Sequence, residues 1–200
     1  MKKLFGLAIV LVLAAGTANA ATILGSKHDL SGKGWGTTEL CRFCHVAHNG
    51  STGFIAPLWN HQITAAVYTT YTSPTMNATV GQPGDYSKAC LSCHDGTVAI
   101  DSYGGRTGTA FMTGGALMGT ALSNDHPVGI TYDATLATTD GGLFNPTTTQ
   151  SGLGGTISAT MLFAGKMECA SCHDVHDPLL GSFLRKTNAA SALCLTCHNK

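Results

Sequence analysis

Two runs near the C-terminal end of the chain decide how it is read. The first is Cys169-Ala170-Ser171-Cys172-His173-Asp174-Val175-His176, and Cys194-Leu195-Thr196-Cys197-His198 follows it closely. Cys-x-x-Cys-His is the attachment signature of c-type haem. On a short helix the two cysteines and the histidine fall at i, i+3 and i+4 and share one face. Two thiols there can take the porphyrin vinyl groups as thioethers while the next residue turns its imidazole onto the iron. The stretch thus offers two covalent haem sites side by side, with an additional histidine, His176, three residues beyond a ligand.

The same signature begins at Cys41 and at Cys90, so all eight cysteines fall into four motifs with none left over. Cys41, Cys44, Cys90, Cys93, Cys169, Cys172, Cys194 and Cys197 are therefore expected to attach four haem c groups, with His45, His94, His173 and His198 as proximal iron ligands. The competing uses of such cysteines are disulfides or structural zinc. Zinc would take two motifs per metal, and neither use demands a histidine after every second cysteine. Residues 41–48 repeat the longer Cys-x-x-Cys-His-x-x-His pattern of residues 169–176, which suggests an internal duplication.

Residues 1–20 read as a Sec-type signal peptide, leaving residues 21–200 as a single tetrahaem domain. Lys2 and Lys3 precede an apolar run from Leu4 to Ala15, and Ala18-Asn19-Ala20 is a small-residue cleavage site. The expectation is a protein exported to the periplasm and then to the cell surface or beyond, without a membrane span. Charged residues are 11% and formal net charge is zero, which leaves no basic block for nucleic acid. With 25 glycines and only 7% aromatic residues, the chain promises a poor side-chain core. The fold class expected is a mostly irregular multihaem cytochrome c. Few short helices would sit at the motifs, with little strand and the backbone wrapped around four stacked haems.

Local signals refine this. Thr37 or Thr38 can cap a short helix into Cys41, Asp85 or Ser87 a turn into Cys90, and Asn188 a helix from Ala189 to Cys194. Asp95-Gly96 should end the second motif's helix. Residues 99–168 read as a coat over the haems, or alternatively as a subunit contact or an O-glycosylated surface, and residues 131–160 within them as irregular loop and short strands. Trp59, Tyr68 and Tyr71 are expected to pack on haem faces. Asn49 and Asn77 begin glycosylation sequons.

Each haem iron has two axial positions. Beyond the proximal set, His28, His48, His61, His126 and His176 remain, and four are needed if every haem is bis-histidine. Methionine is the alternative distal ligand, from Met76, Met112, Met118, Met161 or Met167. His48 and His176 are placed to ligate a neighbouring haem rather than their own. His126 precedes Pro127, which favours an extended presentation from a loop. The expected distal ligands are His28, His48, His126 and His176, with His61 as the spare. A saturated iron has no site for substrate, so the expected role is electron transfer rather than catalysis.

Several strings carry a resemblance: His28-Asp-Leu-Ser, Ala56-Pro-Leu-Trp-Asn, Cys90-Leu-Ser-Cys-His-Asp-Gly and Asp125-His-Pro-Val-Gly, together with the other three motifs. Over nearly all of residues 21–200 the chain resembles small exported multihaem cytochromes of metal-reducing bacteria, most of all the OmcE-type tetrahaem cytochromes that polymerise into extracellular filaments. Their position matching His61 is often Arg, so His61 departs from the pattern. The resemblance implies self-association into a conductive filament. A histidine of one subunit would complete a haem of the next, and His28 near the N-terminus is the candidate. Other redox proteins or extracellular acceptors would be the further partners. A monomeric periplasmic shuttle and a small multihaem reductase are the alternatives.

Overall fold

The computed structural model describes residues 22–51, 54 and 56–200, so the expected signal peptide lies outside the described residues. Turns and loops make up most of the backbone. Strands β1 (Thr69–Thr70) and β2 (Ala121–Leu122) pair in parallel, and β3 (Ile130–Thr131) and β4 (Lys166–Met167) pair antiparallel. Helix α1 (Asp85–His94) is the longest; α2 (Ala134–Asp140), α3 (Ile157–Thr160) and α4 (Cys169–Cys172) are one or two turns each. No described helix is long and apolar enough to cross a membrane. The mostly irregular fold with few short helices and little strand is the one the sequence leads to, as in a small multihaem cytochrome.

Helix boundaries depart from expectation in instructive ways. Gly84 occupies the N-cap of α1, Asp85 opens its first turn, and Ser87 is buried inside the helix. Asp95 and Gly96 (φ +74°) end it as expected. No helix leads into Cys41; the Thr37 hydroxyl accepts the nearby Glu39 N–H in a local turn instead. The helix expected after Asn188 breaks into two 3-10 turns, Ala189–Ser191 and Cys194–Thr196, with Ala190 and Ser191 at positive φ.

The poor core expected from composition is corrected, as is the loop-and-strand reading of residues 131–160. Asp133 caps α2 by accepting the Leu136 N–H at 2.8 Å, and Thr156 caps α3 through the Ala159 N–H. Both helices pack with Ile130, Tyr132, Met167, Leu193 and Cys197 into one apolar cluster. Ile157 is 0% exposed and Met161 1%. Met161 and Met167 are thus committed to packing. This cluster seats the last motif, because Cys197 is one of its members and the Tyr132 hydroxyl donates to the Cys197 carbonyl at 3.3 Å.

A polar network holds the other end of α1. Asp95, next to His94, accepts the Tyr68 hydroxyl at 2.5 Å, the Thr64 hydroxyl at 2.7 Å and the Thr97 N–H at 2.7 Å. Tyr68, expected against a haem, therefore spends its hydroxyl here. Burial alone would raise the Asp95 carboxyl, but these donors outweigh it and hold it below the ordinary 3.8.

Two stability predictions follow from these clusters. Ile157→Ala should cost about 2–5 kcal/mol and lower the thermal midpoint of the holoprotein. An unchanged midpoint would mean that the cofactors, not this cluster, hold the C-terminal half. Asp95→Asn should cost about 1.5–3 kcal/mol at neutral pH. A carboxylate lowered on folding stabilises fully above 3.8 and loses that contribution as pH falls further. Melting curves of wild type and variant should therefore converge on acidification, and a gap that held constant would contradict this role.

Candidate haem-iron sites

The first and third motifs share one backbone ladder, which gives the suspected duplication a structural form. The His45 N–H donates to the Cys41 carbonyl at 2.8 Å, and His173 repeats this with Cys169 at 3.1 Å. The chain then turns back on itself. Val46 bonds Leu58 and Asn60 bonds Cys44 in one copy; Asp174 bonds Phe183 and Arg185 bonds Cys172 in the other. Even a side chain recurs: Asn60 Nδ2 donates to the Arg42 carbonyl at 2.6 Å, and an Arg185 guanidinium nitrogen to Ala170 at 3.4 Å. Leu58 and Phe183, at matching places in the return strand, both have positive φ. The loops between differ in length, which is why the repeat is ragged in sequence.

The return segment has a chemical consequence. His45 Nδ1 lies 2.8 Å from the Pro57 carbonyl, His173 Nδ1 2.7 Å from Ser182 and His94 Nδ1 2.8 Å from Ala116. A carbonyl only accepts, so each ring must carry its proton on Nδ1. Nε2 is left as a lone-pair donor facing away, the tautomer and orientation that metal-bound histidine requires.

The imidazoles meet in pairs. His28 and His94 have ring centroids 6.2 Å apart, His45 and His176 6.2 Å, and His126 and His198 6.4 Å. Two metal–nitrogen bonds of about 2 Å each, plus the ring radius on either side, span just over that distance. Each pair joins one expected proximal histidine to one expected distal one, at the separation that two imidazoles on one metal ion would have. His176 Nδ1 is backed by the Asp174 carboxylate at 3.4 Å and His126 Nδ1 by the Pro127 carbonyl at 3.1 Å. The His28 Nδ1 is buried without a partner. Among the described residues, His48 and His173 alone of the expected eight face no other imidazole, and both are exposed. His28, expected to project across a subunit boundary, lies against His94 of its own chain.

His61 is placed differently. It is 3% exposed, with Nδ1 2.8 Å from the Gln62 carbonyl and Nε2 3.1 Å from the Ala99 carbonyl. Both nitrogens face backbone, so neither is directed at an open space. Burial lowers its pKa, against the opposing pull of those carbonyls. Trp59 packs edge-on to His45 at 6.0 Å, and its buried Nε1–H has no acceptor.

The cysteines lie close enough to order the motifs. Helices α1 and α4 pack together, and Cys169 N–H donates to Ser87 Oγ at 2.9 Å. Cys93 Sγ is 3.5 Å from His61 Nε2, beside the first motif. Burial pushes the Cys44 thiol up to about 11, the Cys93 thiol to about 12 and the Cys197 thiol to about 11. No disulfide joins any of the eight cysteines. The residues whose roles could not be read from sequence are the backbone acceptors at Pro57, Ala116 and Ser182. Only Pro57 carried a signal, in its Ala56-Pro57-Leu58-Trp59-Asn60 setting.

Residues 162–200 match the doubled CXXCH motif family. No curated protein matches the chain. The match covers the last two motifs, and the first motif repeats the backbone hydrogen bonds of the third. A doubled motif of this kind suggests a multihaem c-type cytochrome, with haem c bound covalently through Cys-x-x-Cys-His and electron transfer as its chemistry.

Proposed function

We propose that the chain is an exported electron carrier with four bis-histidine haem c groups, and that copies of it assemble into an extracellular conductive filament. The observation that carries the tetrahaem part is the set of three imidazole pairs at 6.2–6.4 Å, each with one histidine from a Cys-x-x-Cys-His motif. In this reading His45 pairs with His176, His94 with His28 and His198 with His126. His173 and His48 make up the fourth set, and His61 stays out. The cysteine pairs Cys41/Cys44, Cys90/Cys93, Cys169/Cys172 and Cys194/Cys197 anchor the groups. Bound haem supplies one-electron chemistry between ferric and ferrous iron. The paired imidazoles would hold the iron and would keep substrate from it.

The filament part rests on the resemblance and on His48. With His28 engaged inside its own chain, the histidine free to reach a neighbouring copy is His48. It is exposed, as is His173, whose ring is already oriented by the Ser182 carbonyl. Leu24, Val67 and Leu179 are also exposed, at 65%, 80% and 77%, and give apolar area that association would bury. A monomeric shuttle is the second reading. It is favoured by the repeat itself, since residues 41–48 and 169–176 could exchange ligands reciprocally within one chain.

Haem assay with intact mass should give four groups per chain, and the ferric protein should be low-spin and slow to bind carbon monoxide. His28→Ala, His126→Ala and His176→Ala should each open one iron, whereas His61→Ala should open none. His48→Ala decides between the readings. Loss of filaments in electron micrographs together with one opened iron supports ligation across subunits. One opened iron with unchanged assembly assigns His48 to its own chain.

A further inference from the structure

The four motifs sit in unlike electrostatic surroundings. Glu168 is 3% exposed and lies between α4 and α1. Its two oxygens accept the Gly84 N–H at 3.2 Å each, the Ser87 hydroxyl and the Ser171 N–H. Ser87 is 0% exposed and takes the Cys169 N–H, so its own proton is committed to Glu168. Every hydrogen-bond partner of this carboxylate is a donor. The approach depends on glycine, because a Cβ on Gly84 would sit 2.5 Å from Glu168 Oε1. Asp95, 4% exposed, is a second carboxylate surrounded by donors at the far end of α1. Among the described residues neither has an ion-pair partner. The motif at Cys90 therefore lies on a helix with a buried carboxylate at each end.

The last motif has the opposite setting. Lys186 Nζ donates to the Ser151 carbonyl at 2.9 Å and to Thr196 Oγ1 at 2.8 Å. Thr196 lies between Cys194 and Cys197 and is 5% exposed, and Ser151 is 0% exposed. Among the described residues Lys186 has no carboxylate partner. Asp140 and Lys200, which face His198, oppose each other in sign. The other two motifs have mixed charges nearby. Asp101 pairs with Arg106 at 3.4 Å beside the first, and at the third Glu168 precedes Cys169 while Arg185 donates to the Ala170 carbonyl at 3.4 Å.

Ferric iron carries one more positive charge than ferrous. A buried anion favours the ferric state and a buried cation the ferrous, and neither is screened as a surface charge would be. We propose that Glu168 and Asp95 make the Cys90 site the lowest in potential and Lys186 makes the Cys194 site the highest, so that an electron on the chain settles at the C-terminal motif. One electron leaves the second site, which is oxidised, and arrives at the fourth, which is reduced; no bond or proton moves. This rests on the tetrahaem reading.

The test is a spectroelectrochemical titration of the holoprotein and its variants. Glu168→Gln should raise the lowest-potential component by at least a tenfold change in ferric-to-ferrous ratio at fixed poise, about 59 mV for one electron, and leave the highest in place. Lys186→Gln should lower the highest component and leave the lowest, and Lys186→Arg should restore it. The lysine variants keep the proposal falsifiable if Glu168→Gln does not fold. A shift of the wrong component, or of none, overturns the proposal. Haem count and spin state, taken on the same samples first, report separately on the tetrahaem reading.

Discussion

The hydrogen bond from a histidine Nδ1 to a backbone carbonyl is the constraint on which the rest of this structure depends. A neutral imidazole has one proton to give. Committing it to Pro57, Ala116 or Ser182 leaves Nε2 unprotonated and fixes where its lone pair points. The carbonyl must therefore come back to the motif after the chain has left it. Short return segments with residues at positive φ, such as Leu58 and Ser182, do this with almost no regular secondary structure. The irregularity of the fold follows from that demand: helices and sheets spend their carbonyls on each other, whereas these loops have carbonyls to spare.

Most of the attachment chemistry was legible in the sequence because it is local. Two cysteines and a histidine within five residues announce their purpose without knowledge of the fold. The excess histidines could be counted, and His61 singled out, but not paired. Pairing is a long-range fact, since His176 meets His45 and His28 meets His94 only after loops of very different length close. The assignment of His28 to a neighbouring subunit rested on chain position alone. Its nearness to the N-terminus suggested reach, while the structure turns it inward against Phe183 and His94.

The apolar cluster escaped detection for a different reason. Ile130, Ile157, Met161 and Leu193 are scattered singly among Gly, Thr and Ser, without the period of a helix or strand. Two capped helices of seven and four residues are too short to show a stripe. The buried charges were likewise invisible. Glu168 and Lys186 are ordinary charged residues in sequence, and only their hydrogen-bond partners distinguish them. Small polar residues, which looked like filler, are what make these charges tenable: Ser87, Ser151, Ser171 and Thr196 line them.

The central claim is that these imidazole pairs grip the haem irons, and a ligand-resolved structure of the holoprotein tests it most directly. The account predicts an iron between His28 and His94, another between His45 and His176 and a third between His126 and His198, each pair drawn from a single chain. An iron whose axial ligands combine these histidines in any other way, or a His61 nitrogen bound to metal, would contradict it.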